Sequence, residues 1–386
     1  FVDKGELEGY AGSSIYIDAD LVGRVIALNR FNGNQDQGVF AAQGTVDLDG
    51  PMDARFSAKN LQAGILARLA GLNVSMKGTM DLEAQVGGTV ADPSADVSVA
   101  VNGGGLGSSA CDSLTGLFNL RGGVIQVNQL IVQKAQAGHT YKASAYGSIP
   151  LKAISGDMEG LGAEDQFNLR VSLDQADLSL LPILSKEVDW AIGETDGSLI
   201  VSGTLAQPLV RGTLSFKDGA LKLKALSLPF TGMRADIAFE GNRVSINEFS
   251  GRLGRGQYQL TGSSQFAGRT PAGYDFTLTA DKLDIGSSFY KGPLSGSLRL
   301  NEGEIYGHRM PQLSGSILVD DATVSIPTIP DSSGEMPRLI LDLDLKLGKK
   351  VHFYSPFLYD MRLAGSAHFG GTARHPRPSG TISVLR

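Results

Sequence analysis

A single cysteine, Cys111, among 386 residues excludes an internal disulfide framework and a zinc site built on thiolates. Charge is sparse as well: charged residues make up 19% of the chain, and 34 basic against 40 acidic side chains leave a net −6. No basic run exceeds Lys349-Lys350. A nucleic-acid groove needs clustered Lys and Arg to displace counterions, so no nucleic-acid partner is expected. Aromatics amount to 7%, with one tryptophan, Trp190. No stretch approaches the ~20 apolar residues of a membrane helix, and no signal peptide is read. The chain opens on Phe1 instead of Met and is read as an excised piece of a longer protein. Its 15 prolines fit neither collagen nor a Pro-rich linker.

Glycine is abundant: 50 of 386 residues, 13%, against an ordinary ~7%. With 42% apolar residues, a large core is within reach. Strict alternation dominates, the mark of strands with one apolar face. Leu339, Leu341, Leu343, Leu345 and Leu347 alternate with Ile340, Asp342, Asp344 and Lys346. Leu214 and Phe216 follow the same period, as do Met233, Ala235, Ile237 and Phe239. Shorter runs hold Leu221/Leu223, Val244/Ile246, Tyr258/Leu260, Phe276/Leu278 and Leu298/Leu300. Dipeptides that tolerate positive φ lie between the runs and predict hairpin turns: Asn32-Gly33, Asp49-Gly50, Asn102-Gly103, Asp196-Gly197 and Asp218-Gly219. The reading is an all-β chain of antiparallel hairpins, at ~8–12 residues per strand and turn about 30 strands. Helical patterns are few and short. Leu61, Ile65, Leu66 and Leu69 fit one helical face, and Leu178–Leu184 is either a short capped helix or an apolar loop plugging the sheet.

Two motifs recur in a fixed order. The first is aliphatic-x-aliphatic-Asn, at Ile26–Asn29, Ile125–Asn128 and Val244–Asn247, each followed nine or ten residues after the Asn by Gly38, Gly138 or Gly256. The second is Gly-Thr-x-x-x-Pro, from Gly88 to Pro93, Gly203 to Pro208 and Gly371 to Pro376, with a degenerate copy from Gly307 to Pro311. Gly212, Gly315 and Gly380 stand four residues after three of these prolines. The motifs predict one continuous array with approximate modules 1–92, 93–207, 208–310 and 311–386, in which proline ends strands and glycine bends the ribbon. They are read as building the fold and binding nothing directly.

Such strands present an apolar face that must be buried. Helices are too few to cover it. A second sheet would make a closed core, whereas an open face would take acyl chains, and alternation alone does not choose between them.

The stretch from Leu178 through Gly219, with "LSLLPIL" and "GSLIVSGTLAQPLVRGTLSFKDGAL", and the following "LSLPFTGMRADIAFEGNRVSINEFSG" resemble the repeated unit of the TamB family of AsmA-like bacterial envelope proteins. Residues Pro337–Arg386 are similar to the family segment that leads into its C-terminal domain. The resemblance implies an elongated β-taco with a continuous hydrophobic groove. It further implies a periplasmic location in a diderm bacterium, an inner-membrane anchor outside this piece, an outer-membrane barrel partner of the TamA/BamA type, and movement of phospholipids between the two membranes. The groove would be lined by eighteen of the alternating apolar positions named above, all those from Leu214 to Leu347 except Met233, Ala235 and Tyr258. Scaffolding of outer-membrane protein assembly with a BamA-type barrel, or a closed-core structural repeat, are the alternatives.

No enzymatic chemistry is expected. His139, His308, His352, His368 and His375 lack metal-helix spacing, no Gly-x-Ser-x-Gly elbow or phosphate-binding Gly-Lys loop occurs, and no cofactor is implied. Asp47-x-Asp49-Gly50 reads as a hairpin turn rather than a calcium loop, and Asp342 and Asp344 as a solvated strand face.

Overall fold

The computed structural model describes residues 2–7, 10–65, 76–106, 109–136, 139–154, 162, 165–178, 187–204, 206–268, 270–287, 290–305, 307–325, 338–355 and 359–385. It is an all-β repeat array. The chain forms two compact units, residues 1–184 with 196–210, and residues 185–195 with 211–386. Helix among the described residues is confined to isolated turns such as Leu151–Ile154. The expected helical face is strand at Leu61 up to Gln62 and helical at Gly64 and Ile65, while Leu66, Leu69 and residues 179–184 lie outside the described residues.

Unit 1 contains β1 (Val2–Leu7), β2 (Tyr10–Val22), β3 (Val25–Gln35), β4 (Gly38–Asp47), β5 (Met52–Gln62), β6 (Met76–Gly88), β7 (Pro93–Leu106), β8 (Ser109–Ala110), β9 (Ser113–Arg121), β10 (Val124–Gln136), β11 (His139–Pro150) and β12 (Gln166–Asp177). They pair antiparallel with their sequence neighbours, except that β9 follows β7 directly and β8 is a two-residue addition to β7. β13 (Val188–Thr204) and β14 (Pro208–Leu223) have residues in both units. Unit 2 continues with β15 (Phe230–Gly241), β16 (Arg243–Leu253), β17 (Gly256–Ala267), β18 (Thr270–Gly286), β19 (Tyr290–Ile305), β20 (His308–Val319), β21 (Ala322–Ser325), β22 (Ile340–Ser355), β23 (Tyr359–Thr372) and β24 (His375–Leu385).

One departure from antiparallel order lies in unit 2, where β22 runs parallel to both β20 and β21. A parallel neighbour requires a long return connection. β21 ends at Ser325 and β22 begins at Ile340, and the alternation of β22 alone could not reveal its direction.

Among the described residues the strands are also longer than expected, up to 17 residues, and fewer, 24 in place of about 30. The five supposed hairpin dipeptides explain why. Only Asp49-Gly50 forms a turn, in which the Asp49 N–H donates to Asp47 Oδ1 at 3.0 Å. The other four lie inside strands. Asp218 has φ +52° and Gly103 φ +57°. Residues that tolerate positive φ serve these long strands as local kinks as readily as they serve tight turns.

The two sequence motifs are structural devices. In all three copies of the first, the register skips the asparagine: Asn29, Asn128 and Asn247 have no partner on the preceding strand. Toward the following strand, two residues starting with that asparagine face one. Each is therefore a β-bulge, which sharpens local twist. The freed amide Nδ2 donates across to Asp20 Oδ2 at 2.8 Å, to Asn119 Oδ1, and to Asp236 Oδ2 at 3.4 Å. In the second motif, Gly88, Gly203 and Gly371 turn the chain at φ +81°, +89° and +82°. The next threonine Oγ1 accepts the N–H three residues on, from Asp92, Gln207 and His375 at 3.1, 3.1 and 3.2 Å. Proline opens strands here instead of ending them: Pro93 and Pro208 are the first residues of β7 and β14. Gly38 and Gly256 open β4 and β17, and Gly138 lies outside the described residues.

Several buried polar side chains depart from the apolar scheme, among them Gln35, Thr195 and Tyr258. The Tyr258 hydroxyl is buried with no hydrogen-bond partner among the described residues, and burial pushes its titration upward. Burial likewise lifts Tyr290 from 10 to about 12, although its hydroxyl donates to the Pro293 carbonyl at 2.9 Å. A raised folded-state value means stability is fully present below pH 10 and falls as the pH climbs through 12. Tyr258→Phe is therefore expected to keep or raise thermal stability at pH 7 and to move the onset of alkaline unfolding upward, both read by circular dichroism.

Candidate functional site: an aliphatic sheet face

Cross-strand partners share a face of a sheet. In unit 2 the register assembles three transverse rows. The first runs Ile246–Gly262–Phe276–Leu300–Leu313–Leu341, and Ile237 joins it from β15. Phe249–Leu260–Leu278–Leu298–Gly315–Leu343–Phe369 forms the second. The third is Gly251–Tyr258–Ala280–Gly296–Ile317–Leu345–Ala367–Gly380. These rows hold no charged side chain over as many as eight strands. The opposite face reads Ser250–Gln259–Thr279–Ser297–Ser316–Asp344–His368–Ser379, polar throughout.

The eighteen positions expected to line a groove can now be placed. Ten of them, Ile237, Ile246, Leu260, Phe276, Leu278, Leu298, Leu300, Leu341, Leu343 and Leu345, fall in these rows. Phe239 pairs with Val244, and Leu347 with Val319 and Gly365. Phe216 meets Phe249 edge-on at 6.1 Å. Leu214, Leu221 and Leu223 lie on β14, and Leu339 immediately precedes β22. Only Phe216 is buried; the other seventeen are half-buried. A closed core would bury most of them, and a solvated face would expose them.

Alternation missed several members. Phe249 was hidden because the Asn247 bulge shifts its phase, and Leu313, Ile317 and Phe369 because glycine and alanine interrupt their runs. Small residues hid the whole of unit 1 in the same way. There the rows are Leu28–Gly44–Ala54–Val86–Ala95–Leu120–Ile125–Ile149, then Phe31–Ala42–Phe56–Ala84–Val97–Phe118–Val127, then Leu61–Met80–Val101–Leu114–Val132–Ala143–Leu173. Counting alanine as apolar, as in Ala54-x-Phe56-x-Ala58, would have found them.

Burial is graded along the strands of unit 1. Leu61, Met80 and Val101 are 3%, 1% and 2% exposed and pack with Ala58, Ala63 and Leu82. The Leu28–Ile149 and Phe31–Val127 rows are almost entirely half-buried. Unit 2 shows similar buried clusters, Leu253 with Tyr258 and Leu283, and Val319 with Ala322 and Val351. In the first, the 224–229 connection packs Leu226 onto the cluster and is tied down by Ser227, whose N–H and hydroxyl both donate to the Gly286 carbonyl.

The polar faces are occupied by their own pairings. A depression of about 920 Å³ in unit 1 is lined both by Arg55, Glu83, Asp96 and Asn119 and by Phe31, Phe56, Val97 and Phe118 of the second row. Hydrogen bonds from Arg121, and next from Asn119, hold the Asp96 carboxyl below its usual range. In unit 2, His368 Nδ1 lies 3.0 Å from Asp344 Oδ1, and His352 Nδ1 lies 3.1 Å from Asp360 Oδ1. Among the described residues no cluster of three His, Cys, Asp or Glu side chains suits a metal ion.

No protein-family model matches the chain, and no solved structure does. Two plant proteins do. Protein SUBSTANDARD STARCH GRAIN 4, chloroplastic, of Oryza sativa subsp. japonica is 24% identical over 290 residues, covering 60% of this chain and 13% of that protein. Protein TIC236, chloroplastic, of Arabidopsis thaliana is 23% identical over 159 residues, covering 36% of this chain and 7% of that protein. The chain thus spans a small fraction of the length of the relatives it matches. Both being chloroplastic proteins of plants overturns the assignment to a bacterial TamB family and, with it, the periplasm of a diderm bacterium. One-faced alternation and Gly-Thr hairpins are demands of any long one-sided sheet, so they carried the resemblance further than kinship supports. The all-β array fits a structural or transport scaffold.

Proposed function

We propose that this chain is a segment of a transport scaffold whose aliphatic sheet face carries acyl-chain lipids, phospholipids foremost. The supporting observation is the set of uncharged rows that stay half-buried across the strands of each unit. Each methylene entering such a face gains ~0.8 kcal/mol over water, so a 16-carbon chain is held by hydrophobic transfer alone. Rows of aliphatic and aromatic side chains with glycine and alanine present no buried charge, hence no charged trap that would stop a chain from sliding. The segment itself performs no catalysis and needs no cofactor in this reading.

Purified chain stripped of bound lipid is expected to take up a fluorescent phospholipid from phosphatidylcholine vesicles until saturation. Uptake no greater than that by a closed β-sandwich control would remove the proposal.

A further inference from the structure

In unit 1 the apolar gradient continues past the half-buried rows to the hairpin tips at one rim. Leu21 and Val22 at the β2–β3 turn are 70% and 74% exposed. Val25 shares that turn, Leu48 stands at the β4–β5 turn, Val90 at β6–β7 and Val124 at β9–β10, all exposed. The first three turns are physical neighbours: the Leu48 N–H donates to the Arg24 carbonyl, and Pro51 bridges Thr89. In the same strand order, the β10 turn continues this rim, since alternate turns of an antiparallel meander fall on one side. The two arginines here are neutralised, Arg24 by Asp49 and Arg121 by Asp96. The β15–β16 turn of unit 2 reads Glu240-Gly241-Asn242-Arg243, and the β23–β24 turn is Ala373-Arg374, so neither of these two tips carries a comparable apolar pair.

We propose that this rim of unit 1 enters the surface of a lipid bilayer. Aliphatic side chains at turns can reach acyl chains without opening any strand pairing, and a cluster of this kind marks an interaction site. With both arginines paired, the charges left at these tips, Asp47 and Asp92, are acidic, so attachment is by apolar burial and draws nothing from anionic lipid. The rim also borders the Leu28–Ile149 row directly, Leu21 pairing with Ile26 and Ile26 with Val46. That continuity gives an acyl chain an apolar path from bilayer to sheet face, and here the inference rests on the lipid-carrying reading above.

The test is flotation of the full chain with phosphatidylcholine vesicles at low and at 1 M salt. The chain is expected to float at both, and the double variant Leu21→Ser/Val22→Ser to lose about tenfold in bound fraction with its melting temperature unchanged. No flotation, flotation lost at 1 M salt, or a double variant that floats like the parent would each overturn the proposal. So would a dimer in vesicle-free solution that the double variant dissolves while no chain floats, since the rim would then seat a second copy. Lipid uptake measured on the same samples separates the two ideas: uptake without flotation removes only the rim, and flotation without uptake removes only the lipid-carrying face.

Discussion

Leu343→Arg is expected to leave the chain folded, lowering the melting temperature by less than about 5 °C, while abolishing lipid uptake. Leu343 sits mid-row between Gly315 and Phe369 and is half-buried, so a guanidinium can bend its stem along the sheet and reach water. The same charge would stand in the path of an acyl chain. Val351→Arg is the companion experiment. Val351 is 0% exposed and packs with Val319 and Ala322, so the charge has no exit. An unpaired buried charge costs roughly 3–5 kcal/mol, and cooperative loss of unit 2 structure is expected. Circular dichroism melts of the two variants decide the matter. If Leu343→Arg unfolds the protein as readily as Val351→Arg, the face is a closed core and the lipid reading fails.

The second large effect concerns a glycine within a row. Gly262 adopts φ +144°, and a Cβ there would lie 2.2 Å from the Asp275 carbonyl oxygen. Gly262→Val therefore combines a backbone conformation that costs a branched residue about 1–2 kcal/mol with an overpacking strain of about 1–3 kcal/mol. The expected loss is roughly 2–5 kcal/mol, measured by denaturant titration, with β16, β17 and β18 losing hydrogen-exchange protection first. A stability within about 0.5 kcal/mol of the parent would mean that the close approach of β17 and β18 is not a constraint.

Much of this architecture is legible in the residues. Leu339 to Leu347 reads as a strand with one apolar face, and the three asparagine motifs and three Gly-Thr-x-x-x-Pro motifs mark a repeat in the residues alone. What the sequence could not yield has physical causes. Whether Asp196-Gly197 turns or continues depends on pairing with a neighbour, not on the dipeptide's own preference. The parallel placement of β22 depends on where a connection returns the chain. Alanine and glycine carry little hydrophobic signal, so the unit 1 rows were invisible although their register is as regular as that of unit 2. For the candidate site, single strands disclosed their apolar positions but not the extent of their burial, and half-burial is the property on which the functional reading depends.

Occupation of the apolar face by acyl chains is read out most directly by photocrosslinking. A photoreactive amino acid is placed at Leu278, on the apolar rows, and at Thr279, next along β18 on the polar face, and the proteins are irradiated with phospholipid vesicles and analysed by mass spectrometry. A phospholipid adduct is expected at position 278 and none at 279. Equal labelling at both positions, or labelling at neither, would contradict it.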